Sequence, residues 1–152
     1  MEAKIGLDMY LNARLYISTY DKNNKAKLDA LNAAIGGKPD ITFNQLIGEA
    51  AYWRKANQIH KWFVDNVQDG RDDCGTYDVS REQLAELRDV CRKVLENREH
   101  ASKLLPSQSG FFFGGTEYDD YYFQDLEYTA TQIDKLLDPV YDGVYFEYHS
   151  SW

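Results

Sequence analysis

Leu7, Met9 and Leu11 interleave with Asp8, Tyr10 and Asn12 near the start of the chain. A period of two sends alternate side chains to opposite faces of an extended backbone, which predicts a half-buried strand within 5–17. Beyond the polar turn 21–24 the period lengthens. Leu28, Leu31 and Ile35 fall at helical spacing and Gly36-Gly37 with Pro39 close the run, so 26–35 reads as a short helix. Thr42 suits the N-cap of a long helix from 43 or 44 to about 68, ended by Asp69-Gly70. Ser80-Arg81-Glu82-Gln83 is a capping box, in which hydroxyl and amide each satisfy a free backbone N–H. It opens a helix to about 104, with Leu84, Leu87, Cys91, Val94, Arg98 and Ala101 as the inner stripe.

The segment 71–79 reads as a polar loop holding a very short strand at Thr76-Tyr77-Asp78. Phe111-Phe112-Phe113 between glycines predicts a short buried strand or a loop packed against the sheet. An acidic helix opens at Thr116 or Tyr118, with Tyr122, Phe123, Leu126, Thr129, Ile133 and Leu136 facing inward. After Asp142-Gly143, Val144, Phe146 and Tyr148 alternate with Tyr145, Glu147 and His149 as a final strand. The whole predicts one α+β domain over 1–152. It is mainly helical, with three to four helices and a small antiparallel sheet built from strands at the two chain ends. Repeats and low-complexity tracts are absent.

Composition fits this picture. A chain of 152 residues that is 43% hydrophobic can fill one core. No stretch approaches the roughly 18 apolar residues of a membrane span, and the opening Met1-Glu2-Ala3-Lys4 lacks the apolar run of a secretory leader. The expectation is a cytoplasmic protein with no membrane contact. Cys74 and Cys91 are the only cysteines and lack C-x-x-C spacing, so neither a disulfide framework nor a zinc site is expected.

Charge narrows the partners. The formal net charge is −8, and residues 117–147 account for it, with nine acids against Lys135 alone. Direct nucleic-acid binding depends on cations displacing phosphate counterions and is therefore not expected. The same region is rich in tyrosine, residues 111–152 holding 13 of the 22 aromatics. Tyrosine mixed with carboxylates on an exposed face suits a protein-binding surface, the rings giving contact area and the acids orientation. Tyr118, Asp119, Asp120, Asp125 and Glu127 are its candidate partner-binding residues. The competing reading is a solvated acidic helix with tyrosine hydroxyls at the core boundary.

Candidate chemistry concentrates in Tyr52-Trp53-Arg54-Lys55-Ala56-Asn57-Gln58-Ile59-His60. On one continuous helix, Asn57 and His60 fall in the middle of an apolar face. They either satisfy each other and nearby backbone or line a pocket, because an unpaired buried polar group costs about 1–3 kcal/mol. In the pocket reading Trp53 is a stacking wall, Arg54 clamps a small anionic ligand, and Asn57 and His60 hold its polar part. Cys74 near His60 would suggest a thiol and an imidazole base, which nothing in the spacing requires. Asp72, Asp73 and His60 lack the spacing of known metal motifs, and P-loop, dinucleotide and hydrolase signatures are absent. No catalytic residue, metal or cofactor is assigned.

Several segments together resemble a family of small phage and bacterial proteins: Gly6-Leu7-Asp8-Met9-Tyr10-Leu11, Tyr52-Trp53-Arg54-Lys55-Ala56-Asn57 with Ile59-His60 and Trp62-Phe63, Asp73-Cys74-Gly75, and Gly110-Phe111-Phe112-Phe113-Gly114 with Tyr118-Asp119. The resemblance covers most of the chain and transfers no activity. It implies a phage or prophage context, in which a small acidic protein engages a host protein, with anti-restriction or anti-CRISPR action through carboxylates that stand in for DNA phosphates. The leading expectation is thus a non-enzymatic binding protein for a host protein or small ligand. The alternative is an enzyme or nucleotide-binding protein with its pocket at Trp53–His60.

Overall fold

A computed structural model describes residues 6–152; the first residue of the predicted N-terminal strand, Ile5, and the opening 1–4 lie outside them. The elements run β1 (Asp8–Tyr16), α1 (Lys25–Ala34), β2 (Gln45–Arg54), α2 (Asn57–Asn66), β3 (Tyr77–Val79), α3 (Arg81–Glu96), α4 (Ala101–Leu104), α5 (Asp120–Leu136) and β4 (Tyr145–Ser151). The fold is α+β, with five helices and a four-stranded antiparallel sheet among the described residues.

The strands from the two chain ends pair at the centre of the sheet, whose order is β2-β1-β4-β3. Leu11 lies opposite Tyr148 and Ala13 opposite Phe146, so the two alternations predicted from sequence meet in phase. Met9, Leu11, Ala51, Trp53, Phe146 and Tyr148 share one face of the sheet. This face is buried under Ile59 and Phe63 of α2, Leu84, Leu87 and Cys91 of α3, and Leu126 and Ile133 of α5. Burial raises the Cys91 thiol to about 12, as befits a small core hydrophobe. On the opposite face Tyr10 stacks on His149 at a centroid distance of 4.7 Å and contacts Tyr52 at 5.3 Å, all three side chains being half-buried.

The long helix expected over 43–68 is two elements. Residues Gln45–Arg54 form β2, antiparallel to β1 from Asp8↔Arg54 to Tyr16↔Gln45, and only Asn57–Asn66 is helical. The misreading has a local cause. The ladder slips between Leu11 and Asn12, leaving Ala50 as an extra residue on β2. Ala50 and Ala51 are therefore both buried, and the period-two signal is broken where it would have been clearest. Ala50-Ala51-Tyr52-Trp53 then satisfies a helical period equally well, and pairing with β1 decides the matter. Lys55, at φ 57°, turns the chain sharply from strand to helix.

The helix expected to run to 104 breaks at Asn97, whose side chain accepts from the Glu99 N–H and starts a new turn. The break turns Arg98 out of the inner stripe, and its guanidinium lies 4.2 Å above the ring of Phe123. Phe111 to Phe113 form a turn rather than a strand, with Phe113 buried and Phe111 96% exposed. No described helix is long and apolar enough to cross a membrane.

Candidate functional site

Trp53 and Arg54 stand on the last two positions of β2, and Asn57 and His60 on the first turn of α2. Successive strand positions face opposite ways, so Trp53 enters the core while Arg54 leaves it. The Trp53 indole donates to Thr129 Oγ1 at 2.8 Å, and Thr129 in turn donates to the Asp125 carbonyl. Arg54 lies 3.3 Å from the Asp8 carboxylate, which also accepts from the Tyr52 hydroxyl. The two neighbours thus belong to different surroundings.

Asn57 is 1% exposed and fully engaged. Its amide donates to the carbonyls of Phe113 (2.9 Å) and Gly115 (2.8 Å), and its oxygen accepts from the Gln108 N–H (2.9 Å). One side chain therefore fixes the glycine–phenylalanine loop against α2. Within that loop Gly114 adopts φ 84°, and a Cβ there would come within 3.0 Å of the Lys55 Cβ. Only glycine accepts both the angle and the approach.

His60, with no exposed surface, links two groups far apart in sequence. Nε2 lies 2.9 Å from Asp72 Oδ1 and Nδ1 lies 2.6 Å from the Tyr148 hydroxyl. The Asp72 carboxylate can only accept, so Nε2 carries the proton and Nδ1 accepts from Tyr148. The Trp152 indole donates to the same Asp72 oxygen, and Phe113 packs edge-on against the imidazole. Burial lowers the His60 pKa, opposed by the charge and hydrogen bond of Asp72. Burial likewise pushes the Tyr148 phenol well above its usual value, reinforced by Asp72 and Cys74. Cys74 itself is exposed, at φ 56°, on the loop that carries Asp72. Sequence spacing offers Asp72 only as a metal ligand; its contact with His60 leaves no signal in local spacing. Among the described residues no group of three or more His, Cys, Asp or Glu side chains is arranged to hold a metal ion.

A cleft of about 290 Å³ opens where β2 ends and α5 begins. Arg54, Lys55 and Gln58 line it together with Glu117, Asp119 and Asp125. The loop held by Asn57 supplies Gly114 and Gly115 to its wall. Asp119, also in the lining, is the N-cap of α5, its carboxylate accepting from the Tyr122 N–H. Asp125 accepts from the Gln58 amide at 3.1 Å, and burial raises its pKa to about 6 against that hydrogen bond, with Asp119 adding to the rise. Tyr121, 77% exposed, also borders the cleft.

Arg54, Asp119 and Asp125, assigned from sequence to two separate sites, therefore border one cleft. Tyr118 is turned toward Ser107, whose N–H its hydroxyl accepts. Asp120 is exposed in the first turn of α5, and Glu127 lines a different depression beside Arg92 and Asp134. Lys55 and Gln58 were not singled out from sequence. Lys55 reaches the cleft through the turn between β2 and α2, which a continuous helix would not contain. Comparison with protein-family models, with curated proteins and with solved structures finds no match for this chain.

Proposed function

We propose that the chain is a non-enzymatic binding protein that engages another protein through the acidic, tyrosine-rich start of α5 and the cleft beside it. The carrying observation is that Glu117, Asp119 and Asp125 line one cleft of about 290 Å³ together with Arg54 and Lys55. Such a cleft accepts a basic side chain among its carboxylates, with the partner's neighbouring acid or carbonyl on the two cations. Tyr121 adds an exposed ring at the border, the kind of group that anchors an interface. The resemblance to phage proteins makes the partner a host protein, in counter-defence, and the site of action the host cytoplasm.

A ligand pocket formed by Trp53, Asn57 and His60 has less support, because their polar side-chain atoms are directed at Thr129, the 108–115 loop, Asp72 and Tyr148. The test is capture from bacterial lysate by the tagged wild-type chain and by a variant carrying Asp119→Asn, Asp120→Asn, Asp125→Asn and Glu127→Gln. Asparagine still caps α5, so the fold is retained. Loss of a specifically captured protein supports the reading. Equal capture by both chains refutes it.

A further inference from the structure

The outer edge of β2 is treated differently along its length. At the C-terminal end α5 covers it with side chains: Gln132 donates to the Ala50 carbonyl at 2.7 Å, and the Tyr52 N–H donates to the Tyr128 hydroxyl at 3.2 Å. No side chain among the described residues bonds to the backbone of the stretch from Gln45 to Glu49. Ladder alternation gives the direction of its groups. Asn44 accepts from Ile17 on the β1 side, so Gln45, Ile47 and Glu49 turn both N–H and C=O away from the sheet. The side chains here are solvated on both faces, Ile47 being 61% exposed, with Leu46, Leu15 and Tyr16 beside it.

Bare edges are normally blunted by lysine, proline or a covering element. This one carries a single charge, Glu49. We infer that the edge from Gln45 to Glu49 pairs with the same edge of a second copy of this chain, antiparallel about a two-fold axis at Ile47, which joins two four-stranded sheets into one of eight strands.

Complementarity selects this occupant and this register. Centring on Ile47 sets it against its own copy and sets each Glu49 opposite the partner's Gln45, whose amide donates to the carboxylate. The two Glu49 charges then lie apart, and the acids that give the chain its net charge lie in residues 117–147, outside this edge. All three outward-facing residues of each edge gain backbone partners at once, as an isologous interface requires. Pairing ends at Ala50, where Gln132 and Tyr128 take over. A ladder this short covers less than the roughly 800 Å² per partner of a standard interface, so the dimer is weak and concentration-dependent.

Sedimentation equilibrium of the full chain over a wide concentration range tests this. The wild type should move from 17.6 kDa towards twice that mass. Ile47→Pro removes an outward N–H and leaves the bonds to β1 intact, and Ile47→Lys opposes two like charges at the axis; both should remain monomeric with unchanged circular dichroism. Should Ile47→Pro unfold the chain, Ile47→Lys still decides. Gln45→Lys, placed opposite Glu49, should tighten the dimer several-fold at low salt, and Gln45→Glu should loosen it. A wild type that stays monomeric up to millimolar concentration overturns the inference. So does a dimer indifferent to Ile47→Lys, or an edge that takes only a strand from another protein.

Discussion

The Tyr148 hydroxyl lies 2.6 Å from Nδ1 of His60, and neither ring reaches solvent. This contact ties the central strand β4 to α2, and the flat stacking of Phe63 on Tyr148 at 3.9 Å reinforces it. Tyr148→Phe keeps the stack and strands an imidazole acceptor in the core. The variant should lose about 1–3 kcal/mol of stability, read as a lower urea midpoint with an unchanged slope.

Acid should act on the same group. The His60 pKa is lowered in the folded chain from 6.5, chiefly by burial. Above 6.5 neither state binds the proton and the group adds no pH dependence. Below it the unfolded chain is protonated first, so this contribution to stability is lost as pH falls toward the folded value. The His60 ring resonances should titrate below 6.5, and His60→Gln should flatten the acid side of the stability profile. A ring titrating at or above 6.5 contradicts the assignment.

Asp125 should run in the opposite direction. Its pKa is raised to about 6 from 3.8 by burial, so its contribution is full below 3.8 and is lost as pH rises through about 6. Asp125→Asn removes that loss and keeps an acceptor for Gln58. Relative to wild type, the variant should gain stability at pH 7 compared with pH 4, measured by urea unfolding at both.

Asn57→Ala deletes two donors and one acceptor serving three backbone groups of the 108–115 loop. A loss of about 3 kcal/mol is expected. Hydrogen exchange should show lost protection at Gln108 and Phe113 before any change in β1 or β4. Uniform loss of protection across the chain would contradict a local anchoring role.

Lys55→Gly separates stability from binding. The left-handed φ of 57° costs a non-glycine residue about 1 kcal/mol, so glycine should raise the melting temperature. It also removes a cation from the cleft. A more stable chain with weaker partner capture is the expected pair of results, and unchanged capture would remove Lys55 from the binding surface.

Much of the fold was legible in local pattern. Leu7-Met9-Leu11 and Val144-Phe146-Tyr148 announced the two central strands because an unbroken alternation marks one buried face whatever strand it pairs with, and Ser80-Arg81-Glu82-Gln83 announced the start of α3 because its capping bonds close within three residues. β2 was not legible. A one-residue bulge at Ala50 blurred its alternation, and the partner that makes 45–54 a strand lies some forty residues earlier in β1.

The candidate site divides along the same line. That residues 117–147 carry the net charge and that Asn57 and His60 sit among apolar neighbours is readable from the chain alone, since composition and spacing are properties of one segment. It took the folded chain to make Asp72 and Tyr148 the partners of His60, to set Asn57 on the phenylalanine loop, and to bring Arg54, Asp119 and Asp125 to the lining of one cleft. Those relationships join residues from 12 to 88 positions apart. A hydrogen bond is satisfied by whatever group the fold brings within about 3 Å, and nothing in local periodicity encodes which group that is.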